Sequence, residues 1–282
     1  MNQAQIVNAM TVDVEDYFQV SAFERYIRRE DWDAIPCRVE ANVDRILNLF
    51  DGKSVKATFF TLGWMAERYP AMVKRVIEEG HELASHGWEH IRVTTQEEKA
   101  FRQDVVRTRA LLEDVGGQRV KGYRAASYSI GSKNLWALDT LAEAGYQYSS
   151  SIVPVNHDLY GMPQAPRFPF YAAEGKLLEI PITTLQMRSR NIACGGGGWF
   201  RLFPYRFTRW AYRRVNEKEN QAGVFYFHPW EIDAAQPRQN GISAKTRFRH
   251  YLNLSRMYGR LERLLDDFKW DRMDRVFLPK NR

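Results

Sequence analysis

The sequence predicts an α/β protein built on a parallel sheet, open or closed, of about seven strands. Short apolar, β-rich runs alternate with amphipathic stretches, the pattern of strand–helix–strand units. Several runs end in acidic or histidine residues, and the C-terminal ends of parallel strands are where such folds gather functional side chains. No linker, repeat or low-complexity tract interrupts the alternation, and 282 residues with 44% apolar content can bury one large core.

The expected strands are Ala9–Val14, Lys56–Thr61, Glu82–Ser85, Gly122–Ala126, Gln147–Ile152, Leu178–Thr184 and Gly223–His228. Val43, Ile46, Leu47 and Phe50 recur at helical spacing and predict a first helix. Pro70 in an opening turn and Gly80 at the end bracket a second. Phe101, Val105, Thr108 and Leu112 mark a third, stopped by Gly116 and Gly117. Ser132 is the expected cap of a fourth, running through Leu135, Leu138 and Leu141 to Gly145. Leu254 to Phe268 repeats Met257, Leu261, Leu264, Leu265 and Phe268 at helical spacing with arginines between them.

The densest chemical signal is Ser85-His86-Gly87-Trp88-Glu89-His90. On a helix or tight helical turn, histidines four apart share a face and can grip one ion. Two imidazoles and one carboxylate make the protein half of a catalytic zinc site. The carboxylate is sought in Thr11-Val12-Asp13-Val14-Glu15-Asp16. Strand period puts Asp13 and Glu15 on one face, whereas Asp16 points away unless the chain turns first. Like charges held so close need a cation or a proton between them. Gly223 to Phe227 reads as a buried parallel strand, and His228 at its end, before Pro229, is placed to act as a general acid.

Together these segments resemble the polysaccharide deacetylase family, the carbohydrate esterases with a NodB-type homology domain. The motifs are Thr11 to Asp16, Ser85 to His90, Gly122-Tyr123-Arg124-Ala125-Ala126-Ser127-Tyr128 and Tyr226-Phe227-His228. Gly80-His81-Glu82-Leu83-Ala84 and Ala57-Thr58-Phe59-Phe60 also look like the family, and the likeness spans about residues 8 to 232. Cys194-Gly195-Gly196-Gly197-Gly198-Trp199-Phe200-Arg201 and Phe248 to Asn253 resemble a subgroup accompanying exopolysaccharide and exosortase (PEP-CTERM) loci of Gram-negative bacteria. The resemblance implies an irregular (β/α) barrel. It also implies one divalent ion, Zn²⁺ before Co²⁺ or Ni²⁺, on His86, His90 and Glu15, with Asp16 the alternative carboxylate. Asp13 becomes the general base, His228 the general acid, and Arg124 the residue that holds Asp13 ionised. Ser127, through its backbone N–H, Tyr128, Trp199 and Trp230 are the expected substrate-binding residues.

The chain also departs from the family pattern. Val14 follows Asp13 where a second aspartate is usual, and Ala126 replaces a proline. Ser149 stands where the fourth motif places the aspartate that orients the catalytic histidine, so Glu231 or Asp233 is the candidate substitute. The run Gly195–Gly198 would let a loop approach substrate, or would be a plain connection. His81, His157 and His250 have no metal partner at useful spacing and read as structural.

Composition narrows the setting. There is no apolar run near the ~20 residues of a membrane span, no signal-peptide pattern at Met1–Gln5, and two cysteines, Cys37 and Cys194, that form no framework. A cytoplasmic enzyme is the expectation, with residues 1–240 a catalytic domain and 241–282 a basic helical extension packed on it. Net charge is +7, and residues 241–282 hold eleven Lys/Arg against five Asp/Glu. That surplus suits docking on the domain or a peripheral contact with anionic lipid at the inner membrane; no nucleic-acid motif accompanies it. Three function classes follow: deacetylation of an N-acetylated amino sugar in an exopolysaccharide or its lipid-linked precursor, hydrolysis of a small linear or cyclic amide as in allantoinase-like relatives, and non-catalytic glycan binding. Oligomeric state is open.

Overall fold

The computed structural model describes residues 5–158 and 160–279. In chain order the first half runs β1 (Val7–Val14), α1 (Val39–Gly52), β2 (Thr58–Thr61), α2 (Gly63–Arg68), α3 (Pro70–Glu78) and β3 (Glu82–Ser85). It continues through α4 (Glu98–Gly116), β4 (Gly122–Tyr123), α5 (Trp136–Glu143) and β5 (Tyr148–Ser149). The second half begins with β6 (Phe170–Ala172), β7 (Leu177–Glu179), β8 (Thr184–Met187), β9 (Arg190–Ala193), α6 (Gly197–Leu202) and α7 (Tyr205–Arg213). It ends with β10 (Val224–Phe227), α8 (Ala244–Tyr251), α9 (Leu254–Asp267), β11 (Lys269–Asp271) and α10 (Met273–Phe277).

The main sheet has the order β10-β1-β2-β3-β4-β5-β7-β6, with β11 also paired to β1. Every pairing in it is parallel except β6 against β7. It is a curled half-barrel, and among the described residues no hydrogen-bonded ladder joins its edges β10 and β6. The seven strands expected from the sequence all form on this path, several trimmed at their ends. The antiparallel β6, the β8–β9 hairpin and β11 were outside that expectation; all are short, three or four residues each, where periodicity has little to act on.

Alternation along β1 separates two environments. Met10, Val12 and Val14 join the cluster under α1 and α9, while Ala9 joins the interior cluster with Phe60, Ala84 and Tyr148. Thr11 and Asp13 therefore face the barrel interior on the period-2 rule. The helices α1, α3 and α4 form with the apolar faces foreseen. The fourth is shorter than expected: α5 begins at Trp136 behind Leu135, without a side-chain cap from Ser132.

The C-terminal segment is woven into this unit. α9 buries Leu254, Met257, Leu261, Leu264 and Leu265, so its apolar face is spent on the core. At the N-terminal mouth of the barrel, the Met273 N–H donates to Thr58 Oγ1 at 2.8 Å and the Asp274 N–H to Glu82 Oε2 at 3.1 Å. Thr58 and Glu82 open β2 and β3, so α10 closes the end of the barrel opposite the strand C-termini. No helix among the described residues is long and apolar enough to cross a membrane.

Candidate functional site

Four strand ends supply the site. β1 delivers Asp13 and, just past its end, Glu15; β3 leads into His86 and His90; β4 leads into Arg124; β10 leads into His228. One ligand atom each from Glu15, His86 and His90 lie within 4.8 Å of one another, and all three residues are buried. His90 Nε2 is 3.1 Å from Glu15 Oε2. The His86 Nδ1–H donates to the Arg124 carbonyl at 2.8 Å, which leaves Nε2 as the free ring nitrogen.

The histidine pair does not sit on a helix. Residues 86–92 form an irregular loop, in which Gly87 (φ 76°) and His90 (φ 53°) both take left-handed backbone. That path brings the imidazole centroids to 5.2 Å. A non-glycine residue in this region is strained, and such residues concentrate at functional sites.

The acidic run divides its work. The Asp16 side chain accepts N–H bonds from Tyr17 (2.8 Å), Arg38 (2.5 Å) and Val39 (2.9 Å), so it satisfies the N-terminus of α1. The chain turns directly after Glu15, and Asp16 is turned away from the histidines as a result. Glu15 keeps Oε1 near Trp230 Nε1 (3.4 Å) and His228 Nε2 (3.3 Å), while its buried Oε2 accepts no hydrogen bond among the described residues. Burial pushes the Glu15 carboxyl up to about 7, partly offset by His228. Burial also lowers His86 to about 4 and His90 well below the usual range. A buried carboxylate with an orphan oxygen beside two neutral imidazoles is a donor set that fits a divalent cation of the zinc type.

Asp13 is held from the opposite side. Arg124, fully buried, donates from Nη1 to Asp13 Oδ1 at 2.5 Å and to Thr11 Oγ1 at 2.8 Å. Its Nε donates to the Ser150 carbonyl at 3.1 Å, and its guanidinium lies 4.0 Å from the centre of the Phe60 ring. The Tyr128 hydroxyl reaches Asp13 Oδ2 at 3.4 Å. Tyr128 is buried, so its contact is with Asp13.

His228 lies across the site, with Nε2 4.0 Å from Asp13 Oδ2. Its backbone N–H and its Nδ1–H both donate to Glu231 Oε2, at 3.0 and 3.1 Å. Glu231 in turn accepts from Arg201 Nε at 2.8 Å, and both partners are buried. Burial would lower the imidazole, but Glu15 and Glu231 outweigh it and raise His228 to about 9. Burial would raise Glu231, but Arg201 and His228 bring it down to about 2. Of the two candidate substitutes for the missing aspartate, Glu231 is at the imidazole. Asp233 instead pairs with Arg38, at 2.5 Å to Nε. Ser149 bonds to Ser151 Oγ at 2.8 Å and makes no contact of this kind.

The aromatic residues differ from the sequence expectation. Trp230 is buried between His228 (5.2 Å, 19°) and His250 (4.3 Å, 11°), so both indole faces are covered. It buttresses His228 and leaves no indole face free. Trp199 is half-buried, stacks on Phe203 (5.7 Å, 15°) and donates to the Tyr160 hydroxyl at 3.4 Å. Ser127 has left-handed backbone (φ 51°), and its hydroxyl is 2.7 Å from Ser21 Oγ. Gly195–Gly198 is a packing device: the Tyr226 N–H bonds to the Gly195 carbonyl at 2.8 Å, and a Cβ on Gly197 would fall 2.1 Å from Glu231 Oε2. Arg201 and the covering of Trp230 escaped the sequence reading; an arginine beside the glycine run was the one available signal for the former.

Two family models match the chain, polysaccharide deacetylase over residues 31–149 and a domain of unknown function, DUF3473, over 150–278. A peptidoglycan-N-acetylglucosamine deacetylase of Bacillus cereus is 33% identical over 96 residues, 34% of this chain and 35% of that protein. The corresponding enzyme of Listeria monocytogenes is 36% identical over 72 residues, 26% of this chain and 16% of that protein. The chain thus spans about a third or less of these relatives. Among solved structures, one from Mycobacterium smegmatis, titled as a candidate polysaccharide deacetylase, superposes over 98% of this chain and 90% of that one. Its TM-score is 0.65 at 19% identity, a likeness of fold.

Proposed function

Residues 31–149 match the polysaccharide deacetylase family, and on that premise we propose that the chain removes N-acetyl groups from amino sugars of an exopolysaccharide or its lipid-linked precursor. One observation carries the reading: the Glu15–His86–His90 cluster with its orphan carboxylate oxygen, flanked by an arginine-held aspartate and a glutamate-held histidine. Glu15, His86 and His90 would hold a divalent ion, Zn²⁺ first by donor chemistry. When bound, that ion supplies Lewis acidity toward the acetamido carbonyl and the attacking water.

The other steps belong to the chain's own groups. Asp13 Oδ1 is occupied by Arg124, which fixes the carboxylate and leaves Oδ2 to accept the proton of the attacking water. His228 presents Nε2 to the site while Glu231 holds Nδ1, so the proton lost to the departing sugar amine comes from Nε2. Arg124 works through Asp13, as Glu231 works through His228. Half-buried Trp199 and the Ser127 backbone are candidates for substrate contact. Residues 241–282 act as an extension of the catalytic domain, a reading supported by the pairing of β11 with β1. Because the apolar face of α9 is buried, attraction to an anionic inner-membrane surface would rest on exposed charge alone.

The test is acetate release from N-acetylglucosamine oligomers by metal-loaded protein, with metal content measured alongside. His86→Ala should lose both metal and turnover; stoichiometric metal with full turnover in that variant would sink the assignment. Ammonia or carbamoyl products from small linear or cyclic amides, without acetate release, would favour the second enzyme class. Glycan binding without turnover would favour the non-catalytic one.

A further inference from the structure

α7 carries an exposed stripe of arginine and tryptophan. Arg206, Trp210 and Arg213 recur at i, i+4 and i+7 and are all exposed, and Arg214, four after Trp210, carries the stripe into the next turn. Thr208, Ala211, Tyr212 and Val215 occupy the buried side, so the helix is held from behind.

The patch extends beyond the helix. Leu185 of β8 clusters with Cys194 and Ala211, with Phe207 against them, which fixes the β8–β9 hairpin to the flank of α7. Met187 and its cross-strand partner Arg190 share the face of Leu185 by strand period and are exposed at the tip. Trp210, 45% exposed, ends a ladder of rings through Phe207 (5.9 Å), Phe203 (4.6 Å) and Trp199 (5.7 Å). Trp199 donates to the Tyr160 hydroxyl, and the Tyr160 ring lies 5.9 Å from Tyr128 beside Asp13. The ladder thus joins the exposed face to the catalytic side of the barrel.

Charge singles this face out. Residues 186–218 hold eight Lys/Arg and one Asp/Glu, in a chain whose net charge is +7. Arg190, Arg206, Arg213 and Arg214 make no ion pair among the described residues, whereas Arg209 on the flank is paired with Asp267. α8 also exposes an aromatic, Phe248, among basic residues, but there Asp158 pairs both Lys245 and Arg249. An acidic polymer would answer the arginines of α7 but not Met187, whose thioether offers a sugar nothing to bond. Lipid answers both: headgroup phosphates suit the guanidinium groups, and the acyl boundary takes the tryptophan and the methionine.

We propose that the exposed face of α7, with the β8–β9 tip, docks on an anionic lipid surface. Arg206, Arg213, Arg214 and Arg190 meet headgroup phosphates, and Trp210 and Met187 enter the boundary with the acyl chains. The contact lies on α7 and not on residues 241–282, and it is independent of the deacetylase reading.

The experiment co-sediments the full chain with phosphatidylcholine vesicles, with and without phosphatidylglycerol, at low and physiological salt. Melting temperatures check the fold of each variant. The wild type should prefer the anionic vesicles, less so as salt rises. The triple variant Arg206→Gln/Arg213→Gln/Arg214→Gln should lower the partition coefficient on anionic vesicles by roughly 100-fold, at about 5-fold per charge. The triple variant Arg247→Gln/Arg256→Gln/Arg263→Gln removes the same charge from exposed positions of α8 and α9 and should cost far less. Trp210→Ser should weaken binding without altering its salt dependence. No preference for anionic vesicles at low salt, or equal losses for the two triple variants, overturns the proposal. Retention on alginate, a polyuronate, with no binding to either vesicle also overturns it and assigns the face to an acidic glycan.

Discussion

Replacing Glu231 by Gln tests whether this carboxylate took over the duty of the missing fourth-motif aspartate. Glu231 accepts the Nδ1–H and backbone N–H of His228 and the Nε–H of Arg201, all within 3.1 Å. A glutamine keeps the shape and can still accept from His228, but its amide then meets the Arg201 donor head-on. Hydrogen bonds to a charged group contribute about 1.5–3 kcal/mol and neutral ones about 0.5–1.5. Loss of the charge should therefore raise the barrier for amine departure by about 1–1.5 kcal/mol, about 5- to 15-fold in rate. Breaking the buried Arg201 pair should separately cost about 3–5 kcal/mol of stability. The assay compares kcat/KM on an N-acetyl amide with that on an activated acetate ester, corrected for folded fraction by thermal melting. The loss should fall on the amide, whose leaving group needs the proton. Asp233→Asn, whose carboxylate binds Arg38, should lower stability without changing the amide-to-ester ratio. Equal losses on both substrates for Glu231→Gln, or the same selective loss for Asp233→Asn, would refute the assignment.

Metal affinity should depend on pH through Glu15. Burial raises its folded pKa from 4.5 to about 7, so the ion must displace a proton below that value, and affinity should fall about tenfold per unit as pH drops from 7. Chelator competition between pH 5.5 and 8 measures it; a flat profile would count against Glu15 as ligand. The same shift fixes a sign for stability: the folded metal-free protein binds this proton more tightly than the unfolded chain, so its melting temperature should decline as pH rises from 4.5 through 7. Added metal should restore it. Gly197→Ala places a methyl 2.1 Å from Glu231 Oε2. Overpacking of this kind costs about 1–3 kcal/mol, so the melting temperature should drop and the amide-to-ester ratio should move in the direction of Glu231→Gln; an unchanged ratio would mean that the glycine serves packing alone.

The parallel path of the sheet was legible because each of its strands carries an apolar run between turn residues. Asp13 was legible because strand period is strict along β1, whereas Glu15 lies just past its end, where its N–H bonds back to the Asp13 carbonyl at 3.0 Å. The histidine pair was visible by spacing but for the wrong geometric reason. Four residues of helix and four of loop can both align imidazoles, and only the left-handed backbone at Gly87 and His90 tells them apart. The choice between Glu15 and Asp16 turned on a helix N-terminus more than twenty residues away, which no local pattern contains. Trp230 illustrates the limit on aromatic residues: its chemistry suits a sugar face, and whether a face is free depends on His250 from α8.

The relocation of the orienting carboxylate has a structural consequence. On the proposed assignment, with Ser149 in the fourth-motif position, β5 would not contribute to the acid, and His228 and Glu231 both lie in the turn that follows β10. A three-residue reach between two groups of one turn is locally rigid, but the turn itself must then be anchored. Arg201 is that anchor: besides Glu231 it donates to the carbonyls of Arg249, His250 and Leu252 at the end of α8. Trp230 stacks on His250 from the same helix. Residues matched by the second family model thus include His228, Glu231, the arginine behind them and the helix end behind that. In this reading the end of α8 is a support for proton delivery, whereas α9 and β11, which pack on and pair with β1, support the strand that carries Asp13 and leads to Glu15.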